Sequence, residues 1–115
     1  MSKVPLKLSK SEKAEVRDLN LEAWEHELST ALMDLHERFG EWAESSVSAF
    51  DLCDELHEFQ TGIARDLFKM YAGVEAETSL CRAIASGFID EDSLSKSLQQ
   101  KLSPHIEQFR RILSK

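Results

Sequence analysis

The stretch NLEAWEHELSTALMDLHERFG, residues 20–40, decides the fold class of this chain. Its apolar side chains return every three or four positions, which is the period of an α-helix that buries one face. This stripe consists of Leu21, Trp24, Leu28, Ala31, Leu35 and Trp42, widened by Leu32 and Phe39. The pattern predicts a long amphipathic helix over about residues 20–39, with Gly40 as its stop.

A second helical stretch, SAFDLCDELHEFQTGIARDLFKMYA, covers residues 48–72. Ser48 is a suitable N-cap, Asp51 lies in the first turn, and Gly73 is placed to end the helix. Two apolar stripes run along it: Ala49, Leu52, Leu56, Phe59, Ile63, Leu67 and Met70, and then Phe50, Cys53, Ala64, Phe68 and Tyr71. Two stripes predict a helix that is covered on more than one side, at the centre of the core.

The segments on either side of these helices carry weaker signals. Ser9 and Glu12 have capping-box spacing, which predicts a helix start near Lys10. Val16 and Leu19 are out of phase with the later stripe, so either the chain bends near Asn20 or one helix runs over residues 10–39. Toward the C-terminus we expect a segment over 74–86 ended by Gly87, a helix start at residues 90–93, and another at Ser103–Pro104.

Composition supports an all-α protein. Four Gly and two Pro in 115 residues are too few for a many-stranded β fold. We therefore predict an antiparallel bundle of four to five helices, with two long central helices and shorter C-terminal ones. The length suits a single domain, 1–115, with a flexible segment at 1–9. Two Cys form no disulfide framework and no apolar run is long enough for a membrane span, so the expectation is a soluble cytoplasmic protein.

The charge is distributed unevenly along the chain. Residues 21–60 hold eleven acidic side chains and only Arg38, whereas both ends are basic. This predicts no binding of nucleic acid or membrane, and instead a protein partner with a basic surface or a second copy in a homodimer. The residues expected to bind it are Glu22, Glu25, Asp51, Asp54, Glu55 and Glu58. A solvated acidic surface, or pairing of the middle with the chain's own basic ends, remains the alternative.

Catalytic motifs are missing from the sequence. The four glycines stand apart, so no phosphate-binding loop forms, and no Gly-x-Ser-x-Gly, Cys-x-x-Cys or His-Glu-x-x-His motif occurs. We therefore expect no enzymatic activity, no cofactor and no resident metal. A carboxylate and histidine metal site is an open alternative: Asp54 and His57 have the spacing once, and Cys53 with His57 and Cys81 offers zinc ligands. The preferred interpretation is that Cys53 and Cys81 are small side chains that fill the core, as free Cys usually does.

A further alternative rests on His57. The stretch HEFQTG, residues 57–62, is partly similar to the His-x-Leu-Lys-Gly signature of histidine phosphotransfer domains, which are helical bundles of about this length. Phe59 stands at the apolar position, but Gln60 replaces the cation and Gly62 comes one residue late. The resemblance covers about five residues and implies phosphorylation of His57.

The aromatic residues have a structural interpretation. Trp24, Phe39, Phe59 and Phe68 lie on the helical stripes, which predicts that they fill the core. Trp42 follows Gly40 in an acidic stretch, and we expect it to pack under the turn.

Overall fold

The computed structural model describes residues 7–114 and confirms the all-α bundle, with no strand among the described residues. Residues 1–6, which include most of the predicted flexible segment, lie outside this range. The elements in chain order are α1 (Lys10–Ala43), α2 (Ala49–Thr61), α3 (Ile63–Ala72), α4 (Ala76–Ala85), a 3₁₀ turn (Glu91–Ser93) and α5 (Lys96–Leu113).

Helix α1 is continuous, as the second interpretation of residues 10–39 predicted, and the bend near Asn20 does not occur. Asn20 is buried, and its side-chain oxygen accepts a hydrogen bond of 2.7 Å from the Ser79 hydroxyl of α4. The Asn20 side chain therefore connects α1 to α4 and does not cap a helix. The predicted capping box of Ser9 and Glu12 is confirmed at the start of the helix.

Helix α1 also passes through Gly40, which was wrongly predicted to stop it, and ends at Ala43. Ser45 takes the left-handed conformation, with φ of 65°. The amides of Ser45 and Ser46 then donate to the carbonyls of Trp42 and Glu41, at 3.0 and 2.8 Å. These two bonds form a Schellman motif, which satisfies the carbonyls at the helix end without a glycine.

The second predicted helix is divided at Gly62 into α2 and α3. A Cβ at Gly62 would lie 2.7 Å from the Glu58 carbonyl oxygen, so the chain approaches itself too closely there for a side chain. The predicted cap at Ser48 is confirmed, because its hydroxyl accepts the Asp51 amide hydrogen at 3.0 Å. The predicted end at Gly73 is also confirmed.

Helix α5 continues through Pro104, where a new helix was predicted to start. Proline inside a helix removes one backbone hydrogen bond and costs about 3 kcal/mol. Leu102 and Ile106, on either side of it, are both fully buried. Burial of the apolar face on both sides of the proline holds the helix together across it.

Contacts between helices fix the direction of α2 and α3 relative to α1. Arg38 of α1 lies 2.7 Å from Glu55 of α2, and the Tyr71 hydroxyl of α3 donates to Glu27 of α1 at 2.7 Å. The later position in α1 therefore meets the earlier position in the α2–α3 pair, so α1 runs antiparallel to α2 and α3. We call α1 the first arm and α2 with α3 (residues 49–72) the second arm. Helix α4 packs on both α1 and α5.

The main hydrophobic core lies at one end of the molecule. It is formed by Val16, Ala23, Leu67, Tyr71, Leu80, Cys81, Ala83, Ile84, Ile89, Leu94, Leu98, Leu102 and Ile106. No residue of α2 belongs to it, and Leu28 is the last residue of α1 that packs against it. The prediction of a central second helix is therefore wrong for α2, although α3 contributes Leu67 and Tyr71.

Unequal helix lengths explain this asymmetry. Helix α1 has 34 residues, which corresponds to about 51 Å, and the molecule is 54 Å long but only 27 by 24 Å across. Helices α3 and α4 have only 10 residues each. Helix α3 meets α1 at Trp24 and Glu27, and α4 meets it at Asn20 and Glu27. Residues 29–61, which comprise the rest of α1, the connecting turn and α2, extend beyond the core. We call this region the distal hairpin.

The aromatic residues follow the same division. Trp24 lies against the core, stacked on Tyr71 at 5.7 Å and edge-on to Phe68 at 5.9 Å, and Phe59 is partly buried. Three other aromatic predictions are wrong: Phe39 is 41% exposed, Trp42 46% and Phe68 58%. Phe39 and Trp42 lie on the part of α1 beyond Leu28, the last α1 residue that packs against the core. Nothing in the structure explains the exposure of Phe68, which lies in α3 beside Trp24.

Candidate functional site

The distal hairpin carries the whole net charge of the protein. Residues 29–61 contain eight carboxylates and one arginine, a formal charge of −7, and the complete chain also has −7. The rest of the sequence is therefore neutral. The same region carries exposed apolar side chains, of which Phe50 is the most exposed, at 85%. Negative charge and uncovered apolar surface therefore coincide.

A groove of about 550 Å³ runs along one side of the hairpin, between α1 and the second arm. Its apolar lining comes from both arms and from the loop after α4: Ala31, Leu35, Phe59, Ile63 and Phe88. Phe88 is held at the core end by His26, whose Nδ1 lies 2.9 Å from the Phe88 carbonyl oxygen. Concave apolar surface of this kind is a general feature of binding sites.

Four carboxylates lie along the groove: Glu27, Asp34, Glu55 and Glu58. Arg38 is its only lining cation among the described residues, and both oxygens of Glu55 accept from its Nε, at 2.7 and 2.8 Å. Hydrogen bonding to Glu55, and secondarily to Glu41, raises the pKa of Arg38. The charge of Arg38 is therefore paired within the distal hairpin. Asp34 and Glu58 form no ion pair with any described residue.

At the core end of the groove, Glu27 belongs to a partly buried polar network. One oxygen of Glu27 accepts from the Tyr71 hydroxyl and from Nη2 of Arg82, both at 2.7 Å. Arg82 also lies over the Tyr71 ring, 5.3 Å from its centre. Burial, together with the bond to Glu27, raises the pKa of Tyr71 well above its usual range. Glu27 is thus fixed by the core while it faces the groove.

The six predicted partner-binding carboxylates fall into three groups. Glu55 and Glu58 line the groove, and Asp51 and Asp54 are exposed elsewhere on α2. Glu22 and Glu25 are exposed on α1 before the distal hairpin begins. Glu27 and Asp34 were not predicted as site residues. Glu27 follows Ala23 by four residues and Asp34 follows Glu27 by seven, so both continue the α1 face that holds Ala23.

The basic C-terminal helix does not neutralise the hairpin. Lys101 pairs with Glu12 at 2.6 Å, and Arg110 pairs with Glu91 and Glu107 at 2.9 and 2.6 Å. All three acids lie outside residues 29–61. Hydrogen bonds to Glu107 and Glu91 also raise the pKa of Arg110. Within residues 7–114, intramolecular pairing of the hairpin with the basic ends is therefore not observed.

The alternative sites are placed as follows. His57 is exposed on α2, with Asp54 and Glu58 one helical turn before it and directly after it. Cys81 is buried, and burial raises the pKa of its thiol to about 12, whereas Cys53 is exposed, contrary to its expected role in the core. In the described part of the chain no three His, Cys, Asp or Glu side chains are grouped closely enough to hold a metal ion.

No protein-family model matches this chain, and searches of the curated proteins and of the solved structures found no match. Over residues 7–114, none of the helices combines the length and apolar character required to cross a bilayer.

Proposed function

We propose that this protein is a non-enzymatic binding module whose distal hairpin recognises a basic surface on another protein. The observation that carries the proposal is the coincidence of the entire net charge with the region that the core leaves uncovered. Carboxylates that form no ion pair within the protein attract a basic partner. The apolar side chains around them add contact area once the partner has docked.

Two hairpins of the same chain would repel each other, since each carries −7. Like charges placed together at an interface cost free energy and slow association. Charge therefore favours a foreign basic partner over a homodimer formed through this surface. The acids assigned to binding are Asp34, Asp51, Asp54 and Glu58.

Phosphotransfer through His57 gains less support from its surroundings. A phosphoryl group adds close to two negative charges, and Asp54 and Glu58 beside His57 would oppose it. The only arginine of the hairpin is bound to Glu55 and Glu41.

The experiment is affinity capture from the source cells at low salt, followed by association kinetics with the purified captured protein. The variant Asp34→Lys/Glu58→Lys reverses two hairpin charges, and Glu22→Lys/Glu25→Lys reverses two outside it. We expect the first to lose capture, the second to retain it, and the association rate to fall steeply with salt. Equal capture by both variants, or a rate indifferent to salt, would contradict the proposal.

A further inference from the structure

The groove lies in the position that α4 would occupy if α4 were longer. Helix α4 packs on the α1 face that holds Val16, Asn20 and Ala23, and Ser79 of α4 bonds to Asn20. It ends at Ala85, and the chain turns away through Gly87, whose φ is 90°. The same face of α1 continues through Glu27, Thr30 and Asp34, all of which line the groove.

The dimensions of this position suit a helix. The α1 residues that line the groove extend from Glu27 to Arg38, which corresponds to about 17 Å or three helical turns. The opposite wall is also helical, formed by Phe59 of α2 and Ile63 of α3. Two roughly antiparallel helices present a groove into which a third helix packs with its apolar side chains.

The chemistry of the walls specifies the occupant. Leu35, Phe59 and Ile63 require apolar side chains on one face of the incoming segment. Asp34 and Glu58, which form no ion pair among the described residues, require cations on its flanks. A second hairpin would bring carboxylates to these positions and is therefore disfavoured.

We propose that a basic amphipathic helix of the partner protein docks in this groove, end to end with the loop that follows α4, and completes the bundle along the distal half of α1. The inference rests on the proposed function and names the form in which the basic surface is presented. It adds a requirement that charge alone does not impose, namely an apolar stripe at helical spacing.

Synthetic peptides test this requirement. The probe is a peptide of about 14 residues with leucines at i, i+3, i+4 and i+7 and lysines on both flanks. The control is a peptide of the same composition with scrambled order, which keeps the charge and loses the stripe. Titration calorimetry at low salt measures both affinities for the full-length protein. We expect the amphipathic peptide to bind at least about tenfold more tightly than the scrambled one.

Two matched variants locate the binding. Ala31→Trp fills the groove, whereas Met33→Trp places the same side chain at an exposed position outside it. We expect the first to weaken the amphipathic peptide about tenfold or more and the second to leave its affinity unchanged. Circular dichroism of both variants shows whether they remain folded.

Other results would overturn the inference in distinguishable ways. Suppose that both peptides bind equally well and that Asp34→Lys/Glu58→Lys weakens this binding while Ala31→Trp does not. The docking of a helix would then be contradicted, whereas the acidic binding surface of the proposed function would stand. If neither peptide bound, the docking of a basic amphipathic helix would be contradicted, and the proposed function would be decided by the capture experiment alone. Self-association that Ala31→Trp abolishes would assign the groove to a second copy.

Discussion

Glu12 ties the start of α1 to α5. Its carboxylate accepts from Nζ of Lys101 at 2.6 Å, from the Ser9 amide at 2.8 Å and from the Ser97 hydroxyl at 2.8 Å. These bonds favour the ionised form, and they lower the pKa of Glu12 from 4.5 to about 2, with the Lys101 bond contributing most. Sequence alone predicted the bond to Ser9, because capping is local. It did not predict Lys101, which is 89 residues away.

The lowered pKa of Glu12 predicts an acid-sensitive contribution to stability. Because the folded pKa lies below the unfolded one, the contribution is complete above pH 4.5 and is lost as the pH falls toward 2. We expect Glu12→Gln to destabilise the protein at pH 7 and to differ little from wild type near pH 2. Urea unfolding followed by circular dichroism between pH 2 and 7 measures this. Ser9→Ala is the control, since it should cost about 1 kcal/mol at every pH; parallel curves for Glu12→Gln and wild type would contradict the assignment.

Tyr71 offers a second test at single-residue resolution, because it is the only tyrosine in the sequence. Its raised pKa predicts that the folded protein shows no phenolate absorbance near pH 10, where an unperturbed tyrosine titrates. Folded protein binds this proton more tightly than unfolded protein, so stability should fall as the pH rises above 10. Ultraviolet titration of native and urea-unfolded protein measures both. Half-titration of the native protein near pH 10 would show that the hydroxyl is not buried against Glu27.

At the scale of helices, two glycines should respond oppositely to the same substitution. Gly62→Ala places a Cβ 2.7 Å from the Glu58 carbonyl, so α2 or α3 must shift, at a cost of about 1–3 kcal/mol. Gly40→Ala meets no atom within 4 Å and lies inside α1, where alanine should stabilise by about 0.5–1 kcal/mol. Thermal and urea unfolding of the two variants measure the difference. A stabilising Gly62→Ala would mean that α2 and α3 form one regular helix.

The helices also show what periodicity can and cannot predict. The caps at Ser9 and Ser48 and the ends at Gly73 and Gly87 were predictable, since each depends on a few neighbouring residues. The break at Gly62 was not, because both apolar stripes continue across it. Nor could the groove be predicted: a stripe indicates that a face is apolar, while its coverage depends on the lengths of distant helices.

For the whole molecule, the decisive feature is that one helix is much longer than its neighbours. The radius of gyration is 17.5 Å, against about 13 Å for a compact chain of this length. The charge pattern located the acidic middle in residues 21–60, but the apolar stripes predicted that the second helix would lie at the centre of the core. Because the core ends near Leu28 and Leu67, the middle instead forms a projection whose apolar groove and carboxylates lie together.

This asymmetry predicts that the distal hairpin opens separately from the core. Leu52 is the one buried residue of α2 and lies outside the main core, whereas Leu80 is fully buried within it. We expect Leu52→Ala to accelerate amide hydrogen exchange over residues 29–61 about tenfold or more while leaving α4 and α5 protected. Leu80→Ala should instead lower the global free energy of unfolding by about 2–5 kcal/mol and accelerate exchange throughout. Hydrogen-exchange mass spectrometry of both variants tests this directly. If Leu52→Ala lowered protection equally in every helix, the hairpin and the core would unfold as one cooperative unit, and the groove would be as rigid as the core.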